Sequence, residues 1–171
     1  MPTWSEGNAI KTIASEIQRD TALFISSSRP IRDFESFSTP RSGVVTYANR
    51  GLAGIDGNVS TAMGIATFHE ETYAVLGDLA FLHDLSALAQ PTKDPLTLIV
   101  IDNDGGGIFS TLPQRGVEGF EKIFGTPHGQ DLAKIVAGFG ISHEVVASVE
   151  ELKVAMRRVR SEEHTSELQS H

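Results

Sequence analysis

Apolar positions along the chain fall into two alternating rhythms. Behind Ser5, the residues Ala9, Ile10, Ile13, Ala14 and Ile17 recur at helical spacing and lay one apolar stripe along a helix. The short apolar run Ala22 to Ser26 reads as a strand. Residues 27–43 are rich in Ser, Pro, Arg and Asp and hold no sustained period, so they read as a linker or long connection. From Val44 onward strands and helices alternate: strand Val44 to Tyr47, a glycine-rich turn, helix near Ser60 to Thr67, strand Tyr73 to Leu76, helix near Leu79 to Ala89, strand Leu96 to Ile101. A shorter helix near Asp131 to Ala137, a strand near Glu144 to Ala147 and a helix from Val149 to about Val159 follow. The last of these is marked by Ser148 and Glu151 at capping-box spacing.

The run LTLIVI leaves no polar face, which implies burial on both sides. In a βαβα series that means a parallel sheet flanked by helices, an α/β fold. The expected organisation is residues 1–43 as the end of a preceding domain and its linker, and residues 44–160 as the main domain. The segment from Arg160 to His171, RSEEHTSELQSH, resembles translated sequencing-adapter DNA, so residues 161–171 are set aside as a non-native tail. His164 and His171 are therefore not read as ligands. A parallel sheet would use the last helix to reach one more strand, and the main domain is expected to be incomplete.

Composition narrows the function classes. The chain has 171 residues, 40% of them hydrophobic and 21% charged, enough for one hydrophobic core. A formal net charge of -8 provides no basic face for a phosphate backbone, so nucleic acid and an anionic membrane surface are not the expected partners. Cysteine is absent, which removes disulfides and thiolate metal sites and fits a reducing compartment. No apolar run reaches transmembrane length and no basic-then-apolar leader is present, so the expected location is cytoplasmic.

The candidate chemistry sits at two strand ends. Asp78 follows the strand YAVLG and Asn103 follows LTLIVID. In an open α/β sheet the ligand crevice lies beyond the carboxyl ends of the strands, so neighbouring parallel strands would bring this acid and this amide to one edge. A hard cation such as Mg²⁺ takes oxygen donors of that kind and completes its shell with water and phosphate oxygens. The glycines after Asn103 allow the backbone to approach closely and to aim carbonyl or amide groups at the site.

Gly-Asp followed about two dozen residues later by an Asn beside glycines resembles the cofactor-anchoring motif of thiamine diphosphate enzymes. Around it, NRGLAGIDGNVSTAMGIA (Asn49 to Ala66), GDLAFLHDLSALA (Gly77 to Ala89), NDGGGIFSTLP (Asn103 to Pro113) and FGTPHGQDLA (Phe124 to Ala133) resemble the pyrophosphate-binding domain of one family. That family is the 2-succinyl-5-enolpyruvyl-6-hydroxy-3-cyclohexene-1-carboxylate synthases of menaquinone biosynthesis, and NRGLAGIDG is the distinguishing segment. The resemblance implies the thiamine diphosphate-binding fold, here truncated at both ends. It implies that thiamine diphosphate is held with Mg²⁺ or Mn²⁺ by the side chains of Asp78 and Asn103 and the carbonyl of Gly105, with Gly106, Ile108 and Phe109 along the cofactor and substrate cleft. Arg50 resembles the residue that meets a substrate carboxylate, a role that suits a guanidinium fork. The implied reaction decarboxylates 2-oxoglutarate and adds the product to isochorismate. The glutamate that activates the cofactor belongs to an N-terminal domain outside this chain, so a homodimer or homotetramer with a shared site is implied, and the fragment alone is expected to be inactive. Gly-Asp-Leu stands where many thiamine diphosphate enzymes have Gly-Asp-Gly.

Bland alternatives stand beside each residue. Asp78 could serve only as a helix cap, Asp102 and Asp104 as solvated turn residues, and Arg50 as a partner for Asp56. His83 fits a polar helix face and His128 a plain turn, while Phe120 and Phe124 fit a core or interface pair. An acetolactate synthase-like or 2-oxo acid decarboxylase relative using pyruvate, and a non-catalytic α/β module, are the rival readings.

Overall fold

The computed structural model describes residues 3–90 and 93–169. Helix α1 (Glu6–Glu16) starts where Ser5 accepts the Asn8 N–H on its hydroxyl, and its apolar stripe is buried. Strand β1 (Thr21–Ile25) follows, buried at every position. Helix α2 (Arg29–Phe37), strand β2 (Val44–Tyr47), helix α3 (Asn58–Ala66) and strand β3 (Thr72–Gly77) come next. A short helix α4 (Asp78–Leu82), a 3₁₀ segment Leu85–Ala89 and strand β4 (Leu96–Ile101) complete the sheet. Beyond it lie a 3₁₀ turn Gly107–Thr111, a wide turn Glu121–Gly125, helix α5 (Leu132–Gly138) and helix α6 (Val149–Gln169).

The strands form one parallel sheet in the order β2-β1-β3-β4. Alternation along each strand sends side chains into two cores. Leu23, Ile25, Tyr73 and Val75 face α1, Phe34 of α2, and Leu152 and Met156 of α6. Phe24, Ala74 and Leu76 face Val59 and Ala62 of α3, Phe81 of α4 and Ala87. The result is a three-layer α/β/α arrangement, as the patterning implied. The chain runs from β1 outward to β2, then crosses to the other side of β1 to lay down β3. The strand order therefore reverses between β1 and β3, which is where such sheets open a ligand crevice.

Five expectations need correction. Residues 27–43 are not a structureless connection, because Arg29–Phe37 is helical with Pro30 in its first turn and Phe34 in the core. The strand before them lies inside the sheet, so a division at Val44 would cut through one hydrophobic core. The helix expected over Leu79 to Ala89 is broken at His83 and Asp84. Asp84 is buried and turned to α3, where it accepts the Ser60 N–H at 2.7 Å and the Ser60 hydroxyl at 3.1 Å, so its carboxylate caps the free N–H groups at the start of α3. The strand expected at Glu144 to Ala147 does not form, and Val145 is exposed. Left as the sheet's edge, β4 is half-buried throughout rather than covered on both faces.

The capping box appears with a shift of one residue. Ser148 accepts the Glu151 N–H on its hydroxyl, while the Glu151 carboxylate reaches back to the Ala147 N–H at 2.8 Å. Helix α6 continues through Gln169, past the expected start of the tail, while the side chains of residues 160–171, His164 and His171 among them, lie outside the described ones. No described helix is long and apolar enough to cross a membrane.

Phe24 has no solvent exposure at the centre of the sheet, whereas Val45 on β2 is 49% exposed. Phe24→Ala is expected to lower unfolding free energy by roughly 3–5 kcal/mol and Val45→Ala by less than about 0.5 kcal/mol, measured by urea denaturation. A second expectation concerns Asp131, the N-cap of α5. Its carboxyl is held below the usual carboxylate range by the Lys134 side chain and by the Lys134 and Ala133 N–H groups. A depressed folded-state pKa stabilises above that range and loses its effect as pH falls through it. The stability gap between the parent chain and Asp131→Ala should therefore be present at neutral pH and shrink in acid, as read by thermal unfolding against pH.

Candidate functional site

Strands β3 and β4 are adjacent and in register, with Gly77 opposite Ile101, so the residues that follow them emerge side by side. Asp78 opens α4 immediately past β3 and is only 2% exposed. Its Oδ2 accepts the backbone N–H groups of Asn103 at 3.2 Å and Gly105 at 2.8 Å, and lies 3.2 Å from His128 Nε2. Its Oδ1 accepts the Leu79 N–H at 2.7 Å. A buried carboxylate must be solvated by the protein itself, and here the solvent is a set of N–H dipoles. With three donors Oδ2 is fully used, whereas Oδ1 keeps an accepting direction free.

His128 has 10% side-chain exposure and is more than a turn residue. The Gln130 N–H donates to its Nδ1 at 3.0 Å, which assigns the ring proton to Nε2 and makes His128 a donor to Asp78. The turn carrying it is anchored by Asp104, whose Oδ1 accepts the N–H groups of His128 at 3.1 Å and Gly129 at 2.7 Å. Asp102 accepts the Asp104 N–H and lies 3.8 Å from His128 Nε2. Asp78, Asp102 and His128 each offer one ligand atom within 4.8 Å of the others. Asp102 and Asp104 are thus joined to the site through the 128–129 turn rather than being merely solvated.

The glycines have distinct neighbours. Gly105 is buried with φ of +136°, and a side chain there would collide with the carbonyls of Gly125 and Thr126. A side chain on Gly106 would meet the Phe124 carbonyl, and the Gly106 N–H donates to Gly125 at 2.6 Å. This close approach stacks the 103–107 turn on the 124–126 backbone. The Gly105 carbonyl accepts the Gly107 N–H at 2.9 Å and retains a second lone pair. Phe109, in the turn carrying Ile108, packs its ring 5.5 Å from Phe124, and Phe120 adds a third ring at 5.8 Å. Phe120 and Phe124 are thus a packed pair, as expected from their spacing.

Arg50 follows β2 at the same edge of the sheet but is not joined to the Asp78 group by any hydrogen bond or ion pair among the described residues. It is exposed, makes no ion pair with Asp56, and lines an open groove of about 500 Å³ with Ile31, Phe34, Val44 and Thr46. His83 is exposed, consistent with a polar surface. Sequence reading missed Glu6, whose Oε1 accepts the Asn103 Nδ2–H at 2.8 Å across a separation of 97 residues. No local signal marks that contact.

Comparison with known proteins bears on this arrangement. The family described as "Thiamine pyrophosphate enzyme, C-terminal TPP binding domain" matches residues 30–169. The chain is 42% identical over 163 residues to a 2-succinyl-5-enolpyruvyl-6-hydroxy-3-cyclohexene-1-carboxylate synthase from Saccharopolyspora erythraea, covering 91% of this chain and 29% of that protein. It is 41% identical over 162 residues to the protein of the same name from Thermobifida fusca, covering 90% of this chain and 29% of the relative. The chain thus spans under a third of the length of these relatives. A crystal structure of benzoylformate decarboxylase from Polynucleobacter necessarius shares the fold, with a TM-score of 0.72 at 15% identity, over 95% of this chain and 32% of that one.

If Asp104 anchors the 128–129 turn, Asp104→Ala should accelerate amide hydrogen exchange at His128 and Gly129 by roughly tenfold or more, since bonds to a charged acceptor contribute about 1.5–3 kcal/mol. Exchange at the β3 amides should stay unchanged, and equal acceleration in both places would indicate general loosening instead.

Proposed function

Because the chain belongs to the thiamine pyrophosphate enzymes, as a C-terminal TPP binding domain, we propose that it supplies the diphosphate- and metal-binding half of a carboligase site. The observation that carries this reading is Asp78, a carboxylate at 2% exposure tied to the backbone of the 103–105 turn at the adjacent strand end. The residues present fit the group. Asp78 Oδ1 has a free accepting direction, the Gly105 carbonyl has a second lone pair, and Asn103 brings a carboxamide oxygen, so the donors are hard oxygens suited to Mg²⁺ or Mn²⁺. A buried anion neutralised only by dipoles is moreover a natural seat for a cation.

Asp78, Asn103 and Gly105 would hold the divalent ion, and Gly106, Ile108 and Phe109 would border the cofactor. When bound, thiamine diphosphate supplies the electron sink for decarboxylating a 2-oxo acid and transferring what remains. The chain's own part is orientation: the N–H groups of Leu79, Asn103 and Gly105 fix the Asp78 carboxylate in place before any ligand arrives. Arg50, exposed and unpaired with Asp56 at the same sheet edge, would receive a substrate carboxylate, which favours the acidic donor 2-oxoglutarate and the acidic acceptor isochorismate over pyruvate chemistry. The relatives' printed name supports the same product, 2-succinyl-5-enolpyruvyl-6-hydroxy-3-cyclohexene-1-carboxylate. The activating glutamate would come from another domain, with the site shared in a homo-oligomer.

Calorimetric titration of this chain tests the binding half. Thiamine diphosphate with Mg²⁺ should bind, thiamine lacking the diphosphate should not, and Asp78→Ala should abolish the Mg²⁺-dependent heat. Binding that ignores Mg²⁺ or survives Asp78→Ala would refute the metal assignment. For the reaction, this domain grafted in place of its counterpart in the Thermobifida fusca relative should release CO₂ from 2-oxoglutarate in preference to pyruvate. In the same chimera Arg50→Ala should lower kcat/KM by roughly 10–100-fold, the worth of a charge-assisted pair. Preference for pyruvate would move the protein to the acetolactate synthase-like branch.

A further inference from the structure

Asn103 can serve a cation only if its amide presents oxygen, and an amide has two nearly isosteric orientations. Glu6 decides between them. Its Oε1 accepts from Asn103 Nδ2 at 2.8 Å, and a carboxylate has no hydrogen to offer, so the opposite orientation would set oxygen against oxygen. The amide also lies over Gly107, where a side chain would strike the Asn103 nitrogen and carbon, so the amide plane has little room to turn.

Glu6 is itself held. It is the first residue of α1, where the free N–H groups of the helix favour an anion. Its Oε2 lies 2.8 Å from an Arg29 guanidinium nitrogen, an ion pair rather than a well-aligned hydrogen bond. Arg29 Nε in turn donates to Asp33 Oδ2 at 3.2 Å, and Asp33 is 7% exposed. Glu6, Arg29, Asp33 and Asn103 line one small cavity with Gly77. The pairing of α1 with α2 therefore reaches the end of β4 through a relay of alternating charge.

We propose that Glu6 is a positioning residue for the metal site: backed by Arg29 and Asp33, it holds the Asn103 amide nitrogen and leaves the oxygen for the cation. This rests on the reading of Asn103 as a metal ligand. A role confined to packing would tolerate Gln, which keeps the size of Glu, whereas amide positioning does not: a Gln amide with its oxygen on Arg29 offers N–H groups to Asn103 and admits the opposite amide orientation.

The test titrates the chain with Mn²⁺ in the presence of thiamine diphosphate, reading free Mn²⁺ by electron paramagnetic resonance, with thermal unfolding as the fold control. Glu6→Gln should raise the Mn²⁺ Kd by about 10–100-fold, the usual effect of removing a partner of a metal ligand, and Glu6→Ala should do the same, whereas a packing role would leave Glu6→Gln at the parent affinity. Should Glu6→Ala unfold, Asn103→Asp decides: alone it sets two carboxylates together and weakens Mn²⁺ binding, and adding Glu6→Gln restores it. Unchanged affinity in Glu6→Gln or in a folded Glu6→Ala, or no restoration in the pair, overturns the proposal. The Asn103 side-chain amide resonance, followed by ¹⁵N NMR without metal, separates the two readings. If it shifts in Glu6→Gln and in Glu6→Ala while the parent binds no Mn²⁺, the positioning contact stands and the metal assignment fails. If it does not shift, the positioning contact is refuted.

Discussion

One desolvated carboxylate organises the functional edge of this protein. Asp78 is held at 2% exposure by N–H groups from its own helix start and from the turn after the neighbouring strand, which converge on it together with the His128 ring. Those donors can converge only if β3 and β4 run parallel, in register and end together, and the two cores beneath the sheet hold them so. Site geometry and sheet topology are therefore one constraint seen at two scales.

The convergence reaches beyond the strands. Because Asp78 draws on the 103–105 backbone, the turn after β4 is pinned, and because Gly105 and Gly106 lack side chains, the 124–126 segment lies directly on it. Asp104 fastens the next residues, which delivers His128 to Asp78. On the other flank Glu6 extends the network to α1 and α2. Residues 6, 29, 78, 103 and 128 thus meet although no two share an element.

Much of this was legible in the chain, for physical reasons. Strands β2 and β4 are short runs of apolar, β-branched and aromatic residues bounded by turn residues, so their limits match the expected ones, and the Ser5 and Ser148 caps mark their helices. Asp78 and Asn103 stand at strand ends, where a parallel sheet gathers its chemistry, and their proximity followed from that alone. Helix α2 did carry a signal, Ile31, Phe34 and Phe37 three apart behind Pro30, but in a stretch so short and so rich in Ser, Arg and Asp that it does not stand out as a period. The strand at Glu144 to Ala147 has the right composition, yet composition does not supply a partner edge, and pairing decides. Asp84, His128 and Glu6 escaped for a shared reason: each acts through a contact across 24, 50 and 97 residues, and no periodicity encodes a distance of that kind.

The run Gly105 to Gly107 shows what such distant contacts do to the meaning of a motif. Glycines beside a buried acid at a strand end invite the reading that a ligand needs the space, yet at Gly105 and Gly106 the space is filled by the protein's own carbonyls from 124–126, and at Gly107 by the Asn103 amide. A mutational scan scored on ligand binding would register all three, yet at Gly105 and Gly106 part of the loss would come from undocking one loop from another, and at Gly107 from displacing the Asn103 amide. In evolutionary terms the two loops form a single heritable unit: a substitution at Gly105 or Gly106 can be tolerated only if the segment around Phe124 changes with it, so the motif and the loop are expected to diverge together.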